Sequence, residues 1–145
     1  MTDNNKSIKE VQDQIIEEFG LFDDWTDKYE YIIEMGKKLP VLDVNFKLDE
    51  NKIKGCQSNV WLHSQLKDDK VYFEADSDAV IVKGLISMLV RVLSGHSPNE
   101  IFATDLYFID KIGMTQHLAK TRSNGLLSMV KKMKFYALAY QAKTN

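Results

Sequence analysis

The residue best suited to chemistry in this chain is its single cysteine, Cys56, within the segment Lys-Gly-Cys-Gln-Ser at positions 54–58. One thiol cannot form an internal disulfide, and alone it cannot supply the roughly four ligands of a zinc site or an iron–sulfur cluster. As a thiolate it is a nucleophile. Two interpretations remain, a buried spectator, which is the usual state of a free cysteine, and a thiol that reacts with another molecule.

The neighbours of the thiol favour the second interpretation. Gly55 allows the backbone to take a positive φ angle or to approach a partner closely. Lys52 and Lys54 are near enough in sequence to lower the pKa of the thiol. Gln57 and Ser58 supply neutral hydrogen-bonding groups but no general base. This composition predicts a loop that presents its thiol to solvent or to a partner.

Other reactive sites are weakly indicated. A cysteine hydrolase needs a histidine base, and His63, His96 and His117 are the candidates. None belongs to a catalytic-triad signature, and each has an ordinary explanation in a strand or loop. A redox pair would need a second cysteine. We find no glycine-rich phosphate loop and no metal-ligand spacing. The hydrolase therefore stays as an alternative without a supporting motif.

The composition predicts one globular domain. The chain has 145 residues, of which 44% are hydrophobic and 28% charged. The net charge of −2, with both signs interspersed, predicts neither a nucleic-acid nor a membrane partner. The most apolar stretch, residues 79–93, contains Lys83 and Arg91 and is too short to span a bilayer. The N-terminus lacks the apolar core of a signal peptide, and a lone thiol suits the reducing cytoplasm.

The elements that must position the thiol are mostly helical. Apolar residues at helical spacing and capping residues predict a first helix between Ser7 and Gly20 and a second over 24–38. Asp76, Ser77 and Asp78 are candidate N-caps for a central buried helix over 79–94. Short helices are predicted at 98–102 and 105–111, and residues 1–6 as a frayed tail. The last helix is predicted over 122–141, with the inward residues Leu126, Leu127, Val130, Met133, Tyr136 and Ala137.

The middle of the chain predicts strands. Alternating residues over 60–66, a polar turn at 67–70 and a return strand over 71–75 indicate a hairpin. Residues 51–54 are expected to add a third strand, with Cys56 in the loop at its end. The sum is an α+β fold, in which helices cover one face of a small antiparallel sheet of about three strands.

Three blocks of sequence, taken together, resemble one family. The sequence is similar to the SufE-type sulfur acceptors of iron–sulfur cluster assembly, including the CsdE relatives. The resemblance extends over about residues 25–135, most of the chain. The blocks are Lys54 to Ser58 with Val60 to Leu62, Asp76 to Ala79 with Ile81 to Leu85, and Met114 to Leu118 with Arg122, Ser123, Gly125 and Leu126.

The resemblance implies a function for Cys56. It implies that this thiol takes sulfane sulfur from the persulfide of a SufS-like, PLP-dependent cysteine desulfurase, stimulates that enzyme and carries the sulfur to an iron–sulfur scaffold complex. The PLP would belong to the desulfurase, so this chain would need no cofactor and would not act as a stand-alone enzyme. The implied fold is shared with U-type scaffolds, which use about three cysteine ligands, whereas this chain has one. A module that only activates or recruits a desulfurase is the alternative.

The resemblance also assigns residues around the thiol. It implies that Arg122 lies near the cysteine loop, where it could stabilise a sulfur anion or pair with a partner carboxylate. Asp76 matches a family aspartate near the docking surface, although an N-cap would also explain it. Gly55, Gln57 and Ser58 would line the partner-binding loop. The thiol is expected to be tucked into an apolar pocket, formed by residues such as Val60, Trp61 and the 79–93 helix, until a partner docks.

Overall fold

The computed structural model describes residues 6–144, so the expected tail at 1–6, apart from Lys6, lies outside the described residues. The observed helices and strands agree closely with those predicted from the sequence. They are α1 Ile8–Phe19, α2 Trp25–Lys37, 3-10 turns at Val44–Phe46 and Asp49–Asn51, β1 Val60–Lys67, β2 Lys70–Ser77, α3 Val80–Leu93, α4 Pro98–Ala103, α5 Phe108–Lys111, α6 Met114–His117 and α7 Lys120–Thr144. Within residues 6–144, every helix is too short or too polar to cross a bilayer.

Capping residues fix the starts of the first helices. The Ser7 side chain accepts a hydrogen bond from the Glu10 backbone N–H, and the Glu10 carboxylate accepts one from the Ser7 N–H. Asp24 caps α2 by accepting from the Asp27 N–H. Each cap satisfies backbone donors that have no partner inside the helix. The predicted starts of α1 and α2 are therefore confirmed.

The sheet is a hairpin of two antiparallel strands. Its register pairs Val60 with Ser77 and Lys67 with Lys70, and the turn residues Asp68 and Asp69 both have positive φ angles. Two such residues make the kind of tight turn whose twist matches a hairpin.

The expected third strand is wrong. Within the described residues, the segment 51–54 makes only an isolated bridge between Lys52 and Trp61, together with a 2.8 Å hydrogen bond from Ile53 N to Val60 O. The 3-10 turn before this segment and the positive φ of Gly55 after it leave too few extended residues for a ladder.

The core lies between α3 and its neighbours. Helix α3 packs against β2 on one side and against α2 on another, and most of its residues are buried. The contact with α2 is close because Gly36 and Gly84 meet there: a Cβ on Gly84 would lie 2.1 Å from the Ile32 carbonyl oxygen. The α+β architecture, with helices against the hairpin, agrees with the sequence prediction.

The predicted N-caps of α3 are wrong. Ala79 occupies the cap position, and no side chain caps the helix. Asp76 and Ser77 belong to β2 instead, and the Asp78 carboxylate binds Asn59. Stronger partners elsewhere, two lysines for Asp76 and the Asn59 amides for Asp78, explain the difference.

Helix α7 starts two residues earlier than predicted and runs to Thr144. Leu126, Met133 and Ala137 are buried as expected, but Leu127 is 57% exposed and Met129 takes an inward position. The prediction that Leu127 points inward is wrong. Leu127 lies about 100° around the helix from Leu126, away from the stripe of residues that faces the core.

Candidate functional site

The loop that carries Cys56 is pinned against α7. Gly55 has a φ angle of +93°, and a Cβ at this position would lie 2.4 Å from Ser128 Oγ. The φ angle therefore favours glycine, and any side chain here would also require Ser128 to move. This is one of the two roles that the sequence left open for Gly55, and it sets the direction in which the next residue points.

The Cys56 sulfur lies over the backbone of α7. The half-buried thiol is 3.6 Å from the Gly125 carbonyl oxygen, to which it can donate a weak hydrogen bond. Gly125 itself lies against the thiol, and a Cβ there would be at an ordinary contact distance of 3.4 Å from Cys56 Sγ. The thiol also packs against the hydrophobic core. The cover thus comes from α7, an element that the expected pocket did not include.

Burial raises the pKa of the Cys56 thiol, because a thiolate loses hydration there. The expectation that Lys52 and Lys54 lower this pKa is therefore wrong. Lys52 Nζ instead lies 3.1 Å from an Asp49 carboxylate oxygen and 5.9 Å from the centre of the Trp61 ring. The resting protein consequently holds its thiol protonated over a wider pH range than an ordinary cysteine does.

A groove of about 520 Å³, which we call the Arg122 groove, opens beside the thiol loop. Gln57 and Ser58 line one side, the start of α3 supplies Ala79 to Val82, and the start of α7 supplies Ala119, Thr121 and Arg122. Arg122 is exposed, so its guanidinium remains available to a ligand or partner. The fold therefore brings three of the predicted site residues, Gln57, Ser58 and Arg122, into one cavity next to Cys56.

Asp76 lies outside this groove. Its carboxylate is 2.7 Å from Lys47 Nζ and 3.3 Å from Lys83 Nζ, and its side chain is mostly buried. Burial opposes its ionisation, but hydrogen bonds from Lys47, the Ser77 backbone and Lys83 outweigh burial and lower its pKa. Asp76 thus joins the end of β2 to α3 and to the segment before β1.

The pairing of Asp78 with Asn59, beside the thiol loop, is a contact that the sequence did not predict. Its carboxylate accepts hydrogen bonds from Asn59 N at 3.1 Å and from Asn59 Nδ2 at 2.9 Å, while its own N–H donates to Asn59 O. These contacts fasten the end of the Cys56 loop to the start of α3. The hairpin register could have revealed the pair, because Asn59 and Asp78 are the next residues beyond Val60 and Ser77.

Comparison with known proteins decides the family. The model of the SufE Fe–S metabolism associated domain matches residues 13–137. This chain belongs to the SufE family. An uncharacterised SufE-like protein of Rhizobium etli is 46% identical over 127 residues, which cover 84% of this chain and 86% of that protein. A SufE-like protein of Synechocystis is 37% identical over 128 residues, 88% of this chain and 80% of that one.

One further relative and one solved structure extend the comparison. The SufE-like protein 1, chloroplastic/mitochondrial, of Arabidopsis thaliana is 43% identical over 117 residues, which cover 80% of this chain but 32% of that longer protein. The solution structure of a hypothetical protein from Thermus thermophilus has a TM-score of 0.74 at 20% identity, covering 93% of this chain and 97% of that one. The solved structure shows that the fold is shared.

The histidines of this SufE-family chain do not form a base for the thiol. His63 stacks on Phe46 with ring centres 3.7 Å apart, and His117 stacks on Trp25 at 4.3 Å. The backbone of His96 bridges to Val71 in β2. Across residues 6–144, no histidine hydrogen-bonds Cys56, and no group of three or more His, Cys, Asp or Glu side chains could hold a metal ion. The hydrolase alternative thus has no assembled catalytic pair.

Proposed function

We propose that this SufE-family protein is a sulfur acceptor for iron–sulfur cluster assembly, with Cys56 as the residue that carries the sulfur. In this proposal a SufS-like, PLP-dependent cysteine desulfurase donates sulfur and is stimulated by its removal. A scaffold complex receives the sulfur. The supporting observation is the placement of the thiol, on a turned loop beside a groove of about 520 Å³ that a partner can enter.

The transfer needs one nucleophile on this chain. The Cys56 thiolate attacks the terminal sulfur of the desulfurase persulfide, a bond forms between that sulfur and Sγ, and the desulfurase S–S bond breaks. The electron pair of the broken bond leaves with the desulfurase sulfur, which ends as a thiolate. The proton lost by Cys56 passes to solvent or to that leaving thiolate. No net oxidation occurs, so neither a resolving cysteine nor a cofactor on this chain is required.

The environment of Cys56 suits a guarded carrier. Burial raises the pKa of the thiol and keeps most of the resting protein in the less reactive form, which limits oxidation. Docking that moves the loop away from Gly125 would rehydrate the thiol and favour the thiolate. Arg122, in the adjoining groove, could then stabilise the sulfur anion or pair with a carboxylate of the desulfurase. We place this relay in the cytoplasm because a single unpaired thiol suits a reducing compartment.

The test is mass spectrometry of the protein after incubation with a SufS-like desulfurase, PLP and free cysteine. We expect the peptide that contains Cys56 to gain the mass of one sulfur atom, and the gain to disappear on reduction. Cys56→Ser should abolish both the adduct and the stimulation of the desulfurase. Arg122→Gln, which keeps the thiol, should lower the rate of loading without removing the modified residue. A wild-type protein that gains no sulfur would contradict the proposal.

The same variant separates the relay from a module that only activates or recruits the desulfurase. If Cys56→Ser stimulates the desulfurase as fully as wild type does, the protein acts by binding alone.

A further inference from the structure

A second groove, of about 670 Å³, opens on the other side of the thiol loop. We call it the lysine groove. Its walls are the segment before Cys56 and the middle of α7. Its lining residues are Asp49, Glu50, Lys52, Ile53, Lys54, Ser128, Lys131, Lys132 and Phe135. From it we infer an interaction surface, an inference that rests on the proposed function.

The α7 wall is one face of the helix. Ser128, Lys131, Lys132 and Phe135 follow the spacing i, i+3, i+4 and i+7, so their side chains stack along a single stripe. Ser128 is also the residue that meets Gly55. The lysine groove therefore begins at the thiol loop and runs along α7 away from it.

The charge of the lysine groove is available to a ligand. Lys54 and Lys131 are exposed, and within residues 6–144 no carboxylate pairs with Lys54, Lys131 or Lys132. Helix α7 carries no acidic residue to neutralise them. Its basic residues are Lys120, Arg122, Lys131, Lys132, Lys134 and Lys143. Although the whole chain is slightly acidic, the surface beside its thiol is basic.

The groove also offers an apolar anchor point. Phe135 is 58% exposed, and Lys132 Nζ lies 5.5 Å from the centre of its ring. Buried Ile53 forms part of the lining. Aromatic side chains, phenylalanine included, are enriched at protein–protein interfaces relative to the rest of the surface. Asp49 and Glu50 at the same groove disfavour a uniformly negative polymer such as a nucleic acid.

We propose that the lysine groove binds an acidic segment of the desulfurase, one that carries an apolar side chain among its carboxylates. Charge complementarity selects this occupant, and the position of the groove aligns it with the reaction. A segment seated there would bring the donor persulfide to the Cys56 loop from the side opposite the Arg122 groove. Opposite charges at the rim of an interface chiefly raise the association rate and make it sensitive to salt.

The experiment measures the initial rate of sulfur transfer from a SufS-like desulfurase to Cys56 at low and at high ionic strength. The test variant is Lys131→Glu/Lys132→Glu. The control, Lys67→Glu/Lys70→Glu, makes the same change of charge at the exposed hairpin turn, roughly 25 Å along β1 from the thiol loop. Loading by glutathione persulfide, a small donor that needs no docking, reports the reactivity of the thiol itself.

We expect the test variant to lose about tenfold in the low-salt rate and most of the salt dependence, whereas the control stays within about twofold of wild type. Loading by glutathione persulfide should be equal in all three proteins. Equal desulfurase rates in test and control variants would overturn the inference. Failure of wild type to accept sulfur from the desulfurase would instead overturn the proposed function. If the double variant also reacts poorly with glutathione persulfide, Lys131→Glu alone decides, and an unchanged desulfurase rate in it counts against the groove.

Discussion

At the scale of the residue, the reactivity of Cys56 is set by what covers it. The sulfur faces the Gly125 carbonyl, and the loop that carries it is held at one end by the conformation of Gly55 and at the other by Asp78. Burial raises the pKa of the thiol, so we expect its reaction at neutral pH to be faster when the loop leaves this cover. We therefore expect the carboxylate of Asp78 to restrain the thiol loop through its hydrogen bonds with the backbone and side chain of Asn59.

Asp78→Ala should speed the alkylation of Cys56 by iodoacetamide. The substitution removes the acceptor for two Asn59 donors, and the loop should leave its cover on α7 more often. We expect a rise of several-fold at neutral pH and a loss of about 1 kcal/mol in the free energy of unfolding. Stopped-flow or mass-spectrometric alkylation rates check this. Asp23→Ala, at an exposed aspartate outside the thiol loop, is the matched control and should leave the rate unchanged.

A rate in Asp78→Ala no faster than in wild type would show that Asn59 does not restrain the loop.

Residue types and spacing predicted the special role of Gly55 and the position of Cys56 in a loop. They did not predict the contacts with Gly125 and Ser128, because these residues are about 70 positions away and only the tertiary fold brings them to the thiol. Local sequence carries no information about that distance.

At the scale of the element, close packing of α2 against α3 fixes the scaffold. Gly36 and Gly84 face each other, and neither position has space for a side chain: a Cβ on Gly36 would lie 2.8 Å from Gly84 N. Ser87 adds a 2.9 Å hydrogen bond from its hydroxyl to the Met35 carbonyl oxygen. Since the start of α3 also forms one wall of the Arg122 groove, the contact between α2 and α3 helps to hold that wall in place.

Gly84→Ala should destabilise the protein by about 1–3 kcal/mol, because the new methyl group would overlap the Ile32 backbone. Gly125→Ala is the matched control. It also lies in a helix, but its Cβ would meet Cys56 Sγ at an ordinary contact distance of 3.4 Å. Its effect on the free energy of unfolding should stay below about 1 kcal/mol. Urea denaturation measures both, and equal losses would contradict the packing argument.

The elements were the most predictable part of the fold. Capping residues gave the start of α1 and α2, and alternation gave the hairpin. Two errors have tertiary causes. The predicted third strand does not form because Gly55 turns the chain after one bridge. The predicted N-cap at Asp76 does not form because Asp76 pairs with Lys47 and Lys83. A sequence pattern names residues that are able to cap, but competing partners decide which of them do.

At the scale of the whole molecule, an ion pair joins α1 to the central helix. Arg91 donates two hydrogen bonds to Glu18, at 2.9 and 2.8 Å, and Tyr31 of α2 donates a third. The Arg91 guanidinium is the main cause that lowers the pKa of Glu18 to about 2, against the opposing effect of burial. Burial and the Glu18 carboxylate raise the pKa of Tyr31 to about 12. Three helices therefore share one carboxylate.

Glu18→Gln should make the free energy of unfolding less dependent on pH in the acidic range. Because the folded-state pKa lies below the ordinary value of 4.5, the contribution of Glu18 is fully present above that pH and is lost as the pH falls toward about 2. We expect the variant to be about 1–2 kcal/mol less stable than wild type at pH 7, with the difference shrinking below pH 4.5. Glu17→Gln, exposed on the same helix, should show no such trend.

Thermal unfolding between pH 2.5 and 7 measures this difference, and a gap between wild type and Glu18→Gln that persists unchanged at low pH would count against the assignment.

Helix α7 also contributes to both sides of the site. Within three turns it supplies Arg122 to one groove, the Gly125 carbonyl beneath the sulfur, and Lys131 to the other groove. Because a continuous helical segment of fewer than three turns bends little, we expect a displacement of this part of α7 from either side to move the backbone under the thiol. A bound partner that shifts this end of α7 would therefore also loosen the contact between Cys56 and the Gly125 carbonyl. Docking of the partner and release of the thiol from its cover would then be one movement rather than two.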